Sequence, residues 1–333
     1  MAVSLALRNS PKISKATADR IRKLADDFGY RPNPMVSALM TQLRQTREVK
    51  KPSVLAYVTA FPTEDGWRKS GPLAAFYEGA KQRASQLGYT LEEWWVRRPG
   101  MTERRFCDIL LTRDIHGLIV APLPPGAAPL QLEWPRFAAA TIAYSLTAPE
   151  IHRASNDHFG SLGVALRQTT ALGYRRIGLA LVDEGEPRAQ SRWAAAMLAY
   201  QQEIPMPDRV PTFFGHGSIA RSFANWFHEH QPHAVLSLGG ECLRVFHDQG
   251  LRVPQDVGFA NLALTAGENA TAGVNQNFDL VGGAAVDLVD GQLRGNERGV
   301  PRHARTLLIP GEWVPGPTVR DLHAQPRRSR VKV

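Results

Sequence analysis

The chain has 333 residues, is 43% hydrophobic and carries a formal net charge of +9. This length accommodates about two domains with sizeable cores. Its two cysteines, Cys107 and Cys242, lie far apart in the sequence, which excludes a disulfide framework and a zinc-ligand pattern. No apolar run approaches the roughly 20 residues that span a bilayer, and no secretory signal pattern opens the chain. These features predict a cytoplasmic protein without a membrane segment.

The positive charge is concentrated at the two ends of the chain. Residues 1–51 hold eleven lysines and arginines against four acidic residues, and residues 327–333 add four more basic residues and no acidic one. The region between them has a net charge of −2. This asymmetry predicts a polyanion-binding segment joined to a nearly neutral body. A solvated basic face is the alternative.

The N-terminal region is predicted to contain short helices. The segment "VSLALRN" is followed by a turn at Ser10 and Pro11, and Ser14 then caps an amphipathic helix that ends at Gly29. Its apolar positions share one face: Ile21, Leu24, Ala25 and Phe28.

A second short helix is predicted after the helix-breaking segment "RPNP". Asn33 is a suitable cap and Pro34 suits the first turn. Its flanks are polar, so this helix is marginal by itself. Its apolar positions are Met35, Val36, Leu39 and Met40.

From Ser53 onward, predicted strands and helices alternate. This order predicts an α/β fold with parallel strands and crossover helices, arranged as two lobes. The helix at 278–293 and the strand at 304–310 return across both lobes and create a hinged cleft. The predicted strands are 53–61, 91–96, 117–122, 138–145, 177–182, 234–239, 257–262 and 304–310; the predicted helices are 73–87, 102–112, 159–172, 190–202, 241–248 and 278–293.

The N-terminal motifs resemble a known family. "VSLALRNSPKISKATADRIRKLADDFGYRPNP" resembles the DNA-binding headpiece of the lactose-repressor family from the recognition helix onward, and "NPMVSALMTQL" is similar to its hinge helix. The resemblance implies that residues 2–8 form the recognition helix. The first helix of the helix-turn-helix, which supports the recognition helix in the major groove, has no counterpart in this sequence. A start placed too late within a longer reading frame and a truncation are the two explanations, and the late start is favoured.

The family's docking geometry implies a set of DNA-binding residues. It places Ser4 and Leu5 near base edges, with helix packing or a fraying terminus as the alternative. It implies phosphate contacts for Arg8, Asn9, Ser14 and Lys15. Leu39 is a candidate wedge between base pairs in the minor groove, or a contact with the partner hinge. Paired hinges require a homodimer and a roughly palindromic double-stranded operator. The full set is Ser4, Leu5, Arg8, Asn9, Ser14, Lys15, Asn33 and Leu39.

The remainder resembles the same family's sensor domain, which is two-lobed and periplasmic-binding-protein-like (type I). The motifs are "SNDHFGSLGVALRQTTALGYRRIGLA", "GLRVPQDVGF" and "NERGVP". The implied organisation is a partial helix-turn-helix headpiece (1–32), a hinge helix and linker (33–51), a ligand-binding and dimerisation domain (52–320) and a basic disordered tail (321–333). Lobe 1 takes about 52–150 and 278–300, and lobe 2 takes about 151–277 and 301–320.

The resemblance also implies ligand-binding residues. Asp157 precedes a helix and either accepts hydrogen bonds from ligand hydroxyls or only caps that helix. Arg192 at a helix start binds hydroxyls or a carboxylate, or forms an exposed salt bridge. The aromatic residues Phe61 and Trp67 stack on a sugar or fill the core. Asn261 completes the set, but "SLGGE" and "GFANL" depart from the family pattern. These departures argue against a pentose or hexose bound in the usual manner.

The function implied is that of a DNA-binding transcriptional repressor. A small-molecule effector, a sugar or related metabolite, controls operator binding, and no cofactor or metal is expected. The sequence has no GxSxG, GxxxxGK[ST] or strand-associated GxGxxG motif. Two alternatives stay open: a solute-binding-protein-like sensor that lacks DNA binding because the headpiece is truncated, and a two-lobed sugar-processing enzyme.

Overall fold

The computed structural model describes residue 6 and residues 13–28, 53–182 and 189–323. The chain divides into two compact units. The first takes the chain up to Ser155 together with Asp279–Leu307, and the second takes Asn156–Phe278 together with the chain from Leu308. In the described ranges, no helix is both long and apolar enough to cross a membrane.

Helix α1 (Lys15–Asp27) forms the described part of the N-terminal region. The predicted cap is present, because the Ser14 hydroxyl accepts a hydrogen bond from the backbone N–H of Thr17 at 3.3 Å. The apolar face is only partly covered: Leu24 is 49% exposed and Phe28 is 84% exposed. Burial of this face therefore contributes little to the stability of α1.

The first unit contains a six-stranded sheet. Its strand order is β11-β5-β4-β3-β1-β2, and β1 pairs in parallel with both β2 and β3. Helices α2 (Gly71–Gln86), α3 (Glu103–Thr112) and α8 (Phe278–Gly295) accompany it. The strands are β1 (Ser53–Thr59), β2 (Tyr89–Trp95), β3 (Gly117–Val120), β4 (Ala138–Ile142), β5 (His152–Asn156) and β11 (Thr306–Ile309).

Two glycines let α2 and α8 pack with their backbones in contact. A Cβ on Gly79 would overlap the carbonyl of Asp279, and one on Gly282 would overlap the carbonyl of Phe76. Arg83 adds an ion pair across the same two helices, with its Nε 2.7 Å from Asp287 Oδ1. Any larger residue at either glycine would force the helices apart.

The second unit contains a sheet with the strand order β12-β10-β9-β8-β6-β7. The neighbouring strands β7, β6, β8, β9 and β10 pair in parallel, whereas β12 pairs with β10 in the antiparallel direction. Helix α4 (His158–Ala171) precedes β6, and helices α5 (Arg192–Glu203), α6 (Ala220–His230) and α7 (Glu241–Asp248) connect the strands that follow. The strands are β6 (Ile177–Val182), β7 (Phe213–Gly215), β8 (Ala234–Ser237), β9 (Gly258–Leu264), β10 (Ala272–Asn275) and β12 (Glu312–Val314).

The predicted α/β class with two parallel-sheet units is confirmed. The pattern missed four strands: β5, β7, β10 and β12. Three of these are only three or four residues long, and β5 ("HRASN") is polar in sequence although all five of its residues are buried. Arg153 satisfies its buried guanidinium through the carbonyls of Ala143 and Leu146. Such tertiary partners let a polar segment become a buried strand.

Candidate functional site

The carboxyl ends of the second unit's parallel strands form the candidate ligand site. Helices α5 and α7 begin there because they follow β6 and β8, and α4 begins there because it runs back along the sheet before β6. Ligands of open α/β sheets bind outside this end of the strands. We call this surface the second-unit edge and define it as Asp157–Phe159, Arg192–Trp193, Gly239–Glu241 and Asn261.

Asp157 acts as the N-cap of α4. Its Oδ1 accepts a hydrogen bond from the backbone N–H of Gly160 at 2.9 Å. The carboxylate lies so close that a Cβ on residue 160 would overlap it. The capping role that the sequence left open is therefore present, and it engages one carboxylate oxygen of Asp157.

Arg192 is the first residue of α5, as the sequence predicted for a helix start. Its Nη1 donates to the carbonyl of Ala189 at 3.1 Å and to Oε1 of Gln190 at 3.0 Å. Gln190 and Ser191 both have positive φ angles, 52° and 59°, in the sparsely populated left-handed region. The guanidinium thus folds back over a constrained turn at the second-unit edge.

His158 joins the first turns of α4 and α5. Its ring lies 5.0 Å from the ring of Trp193, at 76°. Burial lowers the pKa of His158 to about 4, and the Arg192 guanidinium lowers it in the same direction. His158 is therefore neutral near pH 7, and the contact between the two helices is an uncharged aromatic pair.

Asn261 supports the turn that follows β8. Its Oδ1 accepts hydrogen bonds from the backbone N–H groups of Gly239 at 3.1 Å and Ala263 at 2.9 Å. A Cβ on Gly239 or Gly240 would meet no other described atom within 4 Å. The glycine pair leaves open space beside the backbone, and the Asn261 acceptor is occupied by backbone donors.

The aromatic candidates Phe61 and Trp67 belong to the first unit. Trp67 is 2% exposed, its ring lies 5.2 Å from that of Tyr77, and the Arg68 guanidinium lies 4.5 Å above it. Phe61 is half-buried, and its carbonyl accepts from Trp95 Nε1 at 2.8 Å. The geometry of Trp67 favours the core role over stacking on a ligand.

The structure brings three sequence-predicted ligand residues, Asp157, Arg192 and Asn261, to the second-unit edge. Sequence reasoning missed His158, Phe159 and Trp193 beside them. The signal was present: "NDHF" and "SRW" place aromatic rings in the first turns of helices that begin at the carboxyl ends of strands.

The predicted DNA-binding residues lie in the N-terminal region, of which the structure describes a part. Ser14 and Lys15 lie at the start of α1, with the Ser14 hydroxyl engaged as the cap. Arg22 Nε donates to the carbonyl of the buried Ala6 at 3.3 Å, which links Ala6 to α1. Outside the described residues lie Ser4, Leu5, Arg8, Asn9, Asn33 and Leu39.

The described residues include no group of three or more His, Cys, Asp or Glu side chains placed to hold a metal ion. Cys107 and Cys242 are both free thiols in buried positions.

Comparison with known proteins agrees with this architecture. Residues 166–319 match the model of a periplasmic binding protein-like domain. The HTH-type transcriptional repressor CytR of Escherichia coli is 26% identical over 283 residues, which cover 79% of this chain and 76% of CytR.

Solved structures share the fold. A complex of the transcriptional regulator CelR with cellobiose aligns with a TM-score of 0.58 at 17% identity, covering 95% of this chain and 94% of CelR. The lac repressor bound to ONPG aligns with a TM-score of 0.56 at 18% identity, covering 96% of this chain and 95% of the repressor.

Proposed function

We propose that the chain is a cytoplasmic transcriptional repressor of the lactose-repressor family. Its sensor-domain match, its similarity to CytR and its fold support this proposal. It binds a roughly palindromic operator as a homodimer, and a small-molecule effector, a sugar or related metabolite, controls that binding. The observation that carries the proposal is a capped helix in a basic N-terminal region, followed by two α/β units.

The charge of the N-terminal region supports DNA binding, because residues 1–51 hold eleven basic and four acidic residues. Lys15, Arg20 and Lys23 are exposed on helix α1, and its ion pair between Arg22 and Asp19 is itself exposed. Such side chains neutralise phosphates and release counterions. We assign phosphate contacts to Arg8, Asn9, Ser14 and Lys15, base-edge contacts to Ser4 and Leu5, and the minor-groove wedge to Leu39. Asn33 caps the hinge helix in this proposal.

The second-unit edge supports effector binding. Arg192, Asp157 and Asn261 supply polar groups there. Of the two aromatic candidates in the first unit, Phe61 is half-buried, whereas the burial of Trp67 favours its core role. A ligand shifts a conformational equilibrium only through its different affinity for the two states. Effector binding at this edge therefore alters operator affinity by the same coupling free energy with which operator alters effector affinity.

Selection from a random pool of duplexes, followed by titration of the recovered duplex, tests the DNA-binding part. We expect the chain to prefer a palindromic duplex over random DNA by at least tenfold. Its affinity should fall steeply with salt, because phosphate contacts release counterions. A Lys15→Ala variant should bind more weakly with a smaller salt slope, whereas Lys81→Ala in the first unit should bind like the wild type. Equal affinity for selected and random duplexes would contradict the proposal.

One observation favours a second candidate, an effector sensor without operator binding. Among the described residues, the apolar face of α1 is exposed at Leu24 and Phe28, and a helix-turn-helix needs such a face to be packed. The same titration separates the two candidates: ligand binding without any duplex preference supports the sensor alone.

A further inference from the structure

Amide side chains occupy residues 275–277, "NQN", just before the chain leaves the second unit. Gln276 is 2% exposed and Asn277 is 9% exposed. A buried amide without hydrogen-bond partners costs folding free energy, so buried amides are normally paired. The partners of these side chains therefore show which segments of the chain they hold together.

The chain passes between the two units three times, after Ser155, after Phe278 and after Leu307. On the second unit's side, we define the first connection as residues 156–157, the second as residues 275–278 and the third as residues 308–310. Because these stretches are far apart in the sequence, only tertiary contacts can join them.

Hydrogen bonds join the first connection to each of the other two. The backbone N–H of Asp157 donates to the carbonyl of Ile309 in the third connection at 2.8 Å. Asn156 Nδ2 donates to the carbonyl of Gln276 in the second connection at 2.6 Å. Since Asn156 is only 3% exposed, its bond to Gln276 lies in a low-dielectric interior, where hydrogen bonds are stronger than in water.

Asn277 joins the remaining pair of connections. Its Nδ2 donates to the carbonyl of Pro310 at 3.1 Å, which links the second connection to the third. Asn277 has a left-handed φ of 50°, a conformation that asparagine adopts more readily than most residues. Its backbone N–H donates to Asn275 Oδ1 at 3.1 Å, which supports the turn. The three connections are therefore linked pairwise by hydrogen bonds.

Gln276 links these connections to the candidate effector residues. Its Nε2 donates to the carbonyl of Leu262 at 2.5 Å, and Leu262 directly follows Asn261 on β9. Its Oε1 accepts from the hydroxyl of Ser161 at 3.3 Å, and the backbone N–H of Ser161 donates in turn to the carbonyl of Asp157 at 2.8 Å. One buried side chain thus bonds to both elements that carry acceptors of the second-unit edge.

Resting on the proposed effector control of operator binding, we propose that Asn156, Gln276 and Asn277 are positioning residues that couple the second-unit edge to all three connections. We call these three residues the amide network. Hydrogen-bonded networks with discrete arrangements carry coupling between distant sites. An effector that displaces Asp157 or Asn261 then displaces the three connections together, and these lead into the first unit, which follows the proposed DNA-binding region in the chain.

Hydrogen exchange of the full chain, measured at single amides, tests whether the network acts as a unit. The probe is the Asp157 amide, which exchanges when its bond to the third connection opens. Asn277→Gly removes the bond to Pro310 and keeps a residue that readily adopts the left-handed φ, and Asn156→Ala removes the bond to the second connection. Each variant should speed exchange of the Asp157 amide by about tenfold, the effect of losing one buried hydrogen bond.

The double variant decides between one network and independent bonds. In a single cooperative network, the double variant should exchange no faster than about tenfold over the wild type, because either substitution already opens the network. Effects that multiply to about a hundredfold, or unchanged exchange in both single variants, would overturn the proposal. Should Asn156→Ala fail to fold, Asn156→Asp removes the same donor and keeps the size of the side chain.

Asn296→Gly is the matched control. It makes the same replacement at a left-handed φ of 53°, directly after α8 and outside the amide network. The Asp157 amide should exchange at the wild-type rate in this variant. Acceleration equal to that in Asn277→Gly would show a general loss of stability, and it would overturn the role assigned to the network.

The duplex recovered by selection tests the coupling to the second-unit edge. Since linkage is reciprocal, operator binding must alter the effector site. In the wild type, the duplex should change exchange of the Gly160 and Gly239 amides, which donate to the two candidate acceptor side chains, by about fivefold. Asn277→Gly should still bind the duplex but lose this response, whereas Asn296→Gly should keep it.

A response in Asn277→Gly equal to that of the wild type, or no response in the wild type, would overturn the coupling. Exchange of the Asp157 amide is measured without DNA, so it tests the network even if no duplex is preferred. Failure to prefer any duplex contradicts the proposed function, whereas failure of the exchange cycle contradicts this inference.

Discussion

The two units share one strand order but place different side chains at the carboxyl ends of their strands. In the first unit, the segment after β1 places Trp67 in an aromatic cluster with Tyr57 and Tyr77, and Arg68 covers it while pairing with Glu93 at 2.5 Å. In the second unit, the corresponding end exposes Phe159 and the Gly239–Gly240 turn. The same strand order therefore accompanies a buried aromatic ring, Trp67, in the first unit and an exposed one, Phe159, in the second. The strand order of a sheet does not decide where a ligand binds. The side chains that follow its strands decide it.

The largest expected effect on stability comes from removing the buried Trp67 ring of the first unit. Trp67→Ala should lower the free energy of unfolding by roughly 3–5 kcal/mol, because it deletes a 2%-exposed indole. Trp67→Phe keeps a ring and should lose much less. Urea denaturation followed by circular dichroism measures both. A Trp67→Ala chain as stable as the wild type would show that the cluster is not a structural core.

The second test concerns the aromatic pair of the second unit. The pKa of His158 lies at about 4 in the folded chain, below the ordinary value of 6.5. Above pH 6.5 both states are neutral at this residue. As the pH falls from about 6.5 to 4, the unfolded chain binds the proton first, so the free energy of unfolding falls by about 3 kcal/mol.

His158→Asn should remove this part of the pH dependence. The comparison is the difference between wild type and variant across pH 7 to 4, because His152 and His233 also have lowered pKa values and contribute with the same sign. Parallel stability curves for the two proteins would indicate that His158 titrates normally in the fold.

The third test addresses the helix contact that holds α8 in the first unit. Gly282→Ala inserts a Cβ against the carbonyl of Phe76 and should destabilise the chain by roughly 1–3 kcal/mol. Gly291→Ala on the same helix is the matched control, because a Cβ there meets no described atom within 4 Å. That control should be neutral or stabilising by up to about 1 kcal/mol. If both variants melt alike in a thermal scan, the close approach of α2 and α8 is refuted.

The smallest test concerns the N-terminal helix. Ser14→Ala removes the side-chain acceptor of the Thr17 N–H and should destabilise α1 by about 1 kcal/mol. Hydrogen exchange of the first-turn amides should then accelerate roughly fivefold, whereas Ser14→Asp should preserve their protection. Unchanged exchange in Ser14→Ala would remove the capping role.

Much of the fold was predictable because its signals are local. Apolar β-rich runs such as "IGLALV" and "GLIV" match strands β6 and β3, and the helix at 241–248 begins and ends where the pattern placed it. Strand β5 was not predicted because its sequence is polar. Its burial depends on tertiary partners, such as the carbonyls of Ala143 and Leu146 that accept hydrogen bonds from Arg153.

The candidate site was harder to predict than the fold. Asp157 and Arg192 were found at helix starts, but their engagement with Gly160, Ala189 and Gln190 depends on turn geometry that spacing alone does not reveal. From the sequence alone, Trp67 is equally compatible with stacking on a ligand and with packing in the core. Its 2% exposure distinguishes the two.

By itself, the sequence determined the α/β class, the alternation of strands and helices, and the segregation of positive charge to the chain ends, because periodicity and composition act locally. Only the tertiary structure decided which polar groups are engaged, which aromatic ring is buried and which one, Phe159, is exposed. These outcomes depend on contacts between residues distant in the sequence, and no local pattern contains them.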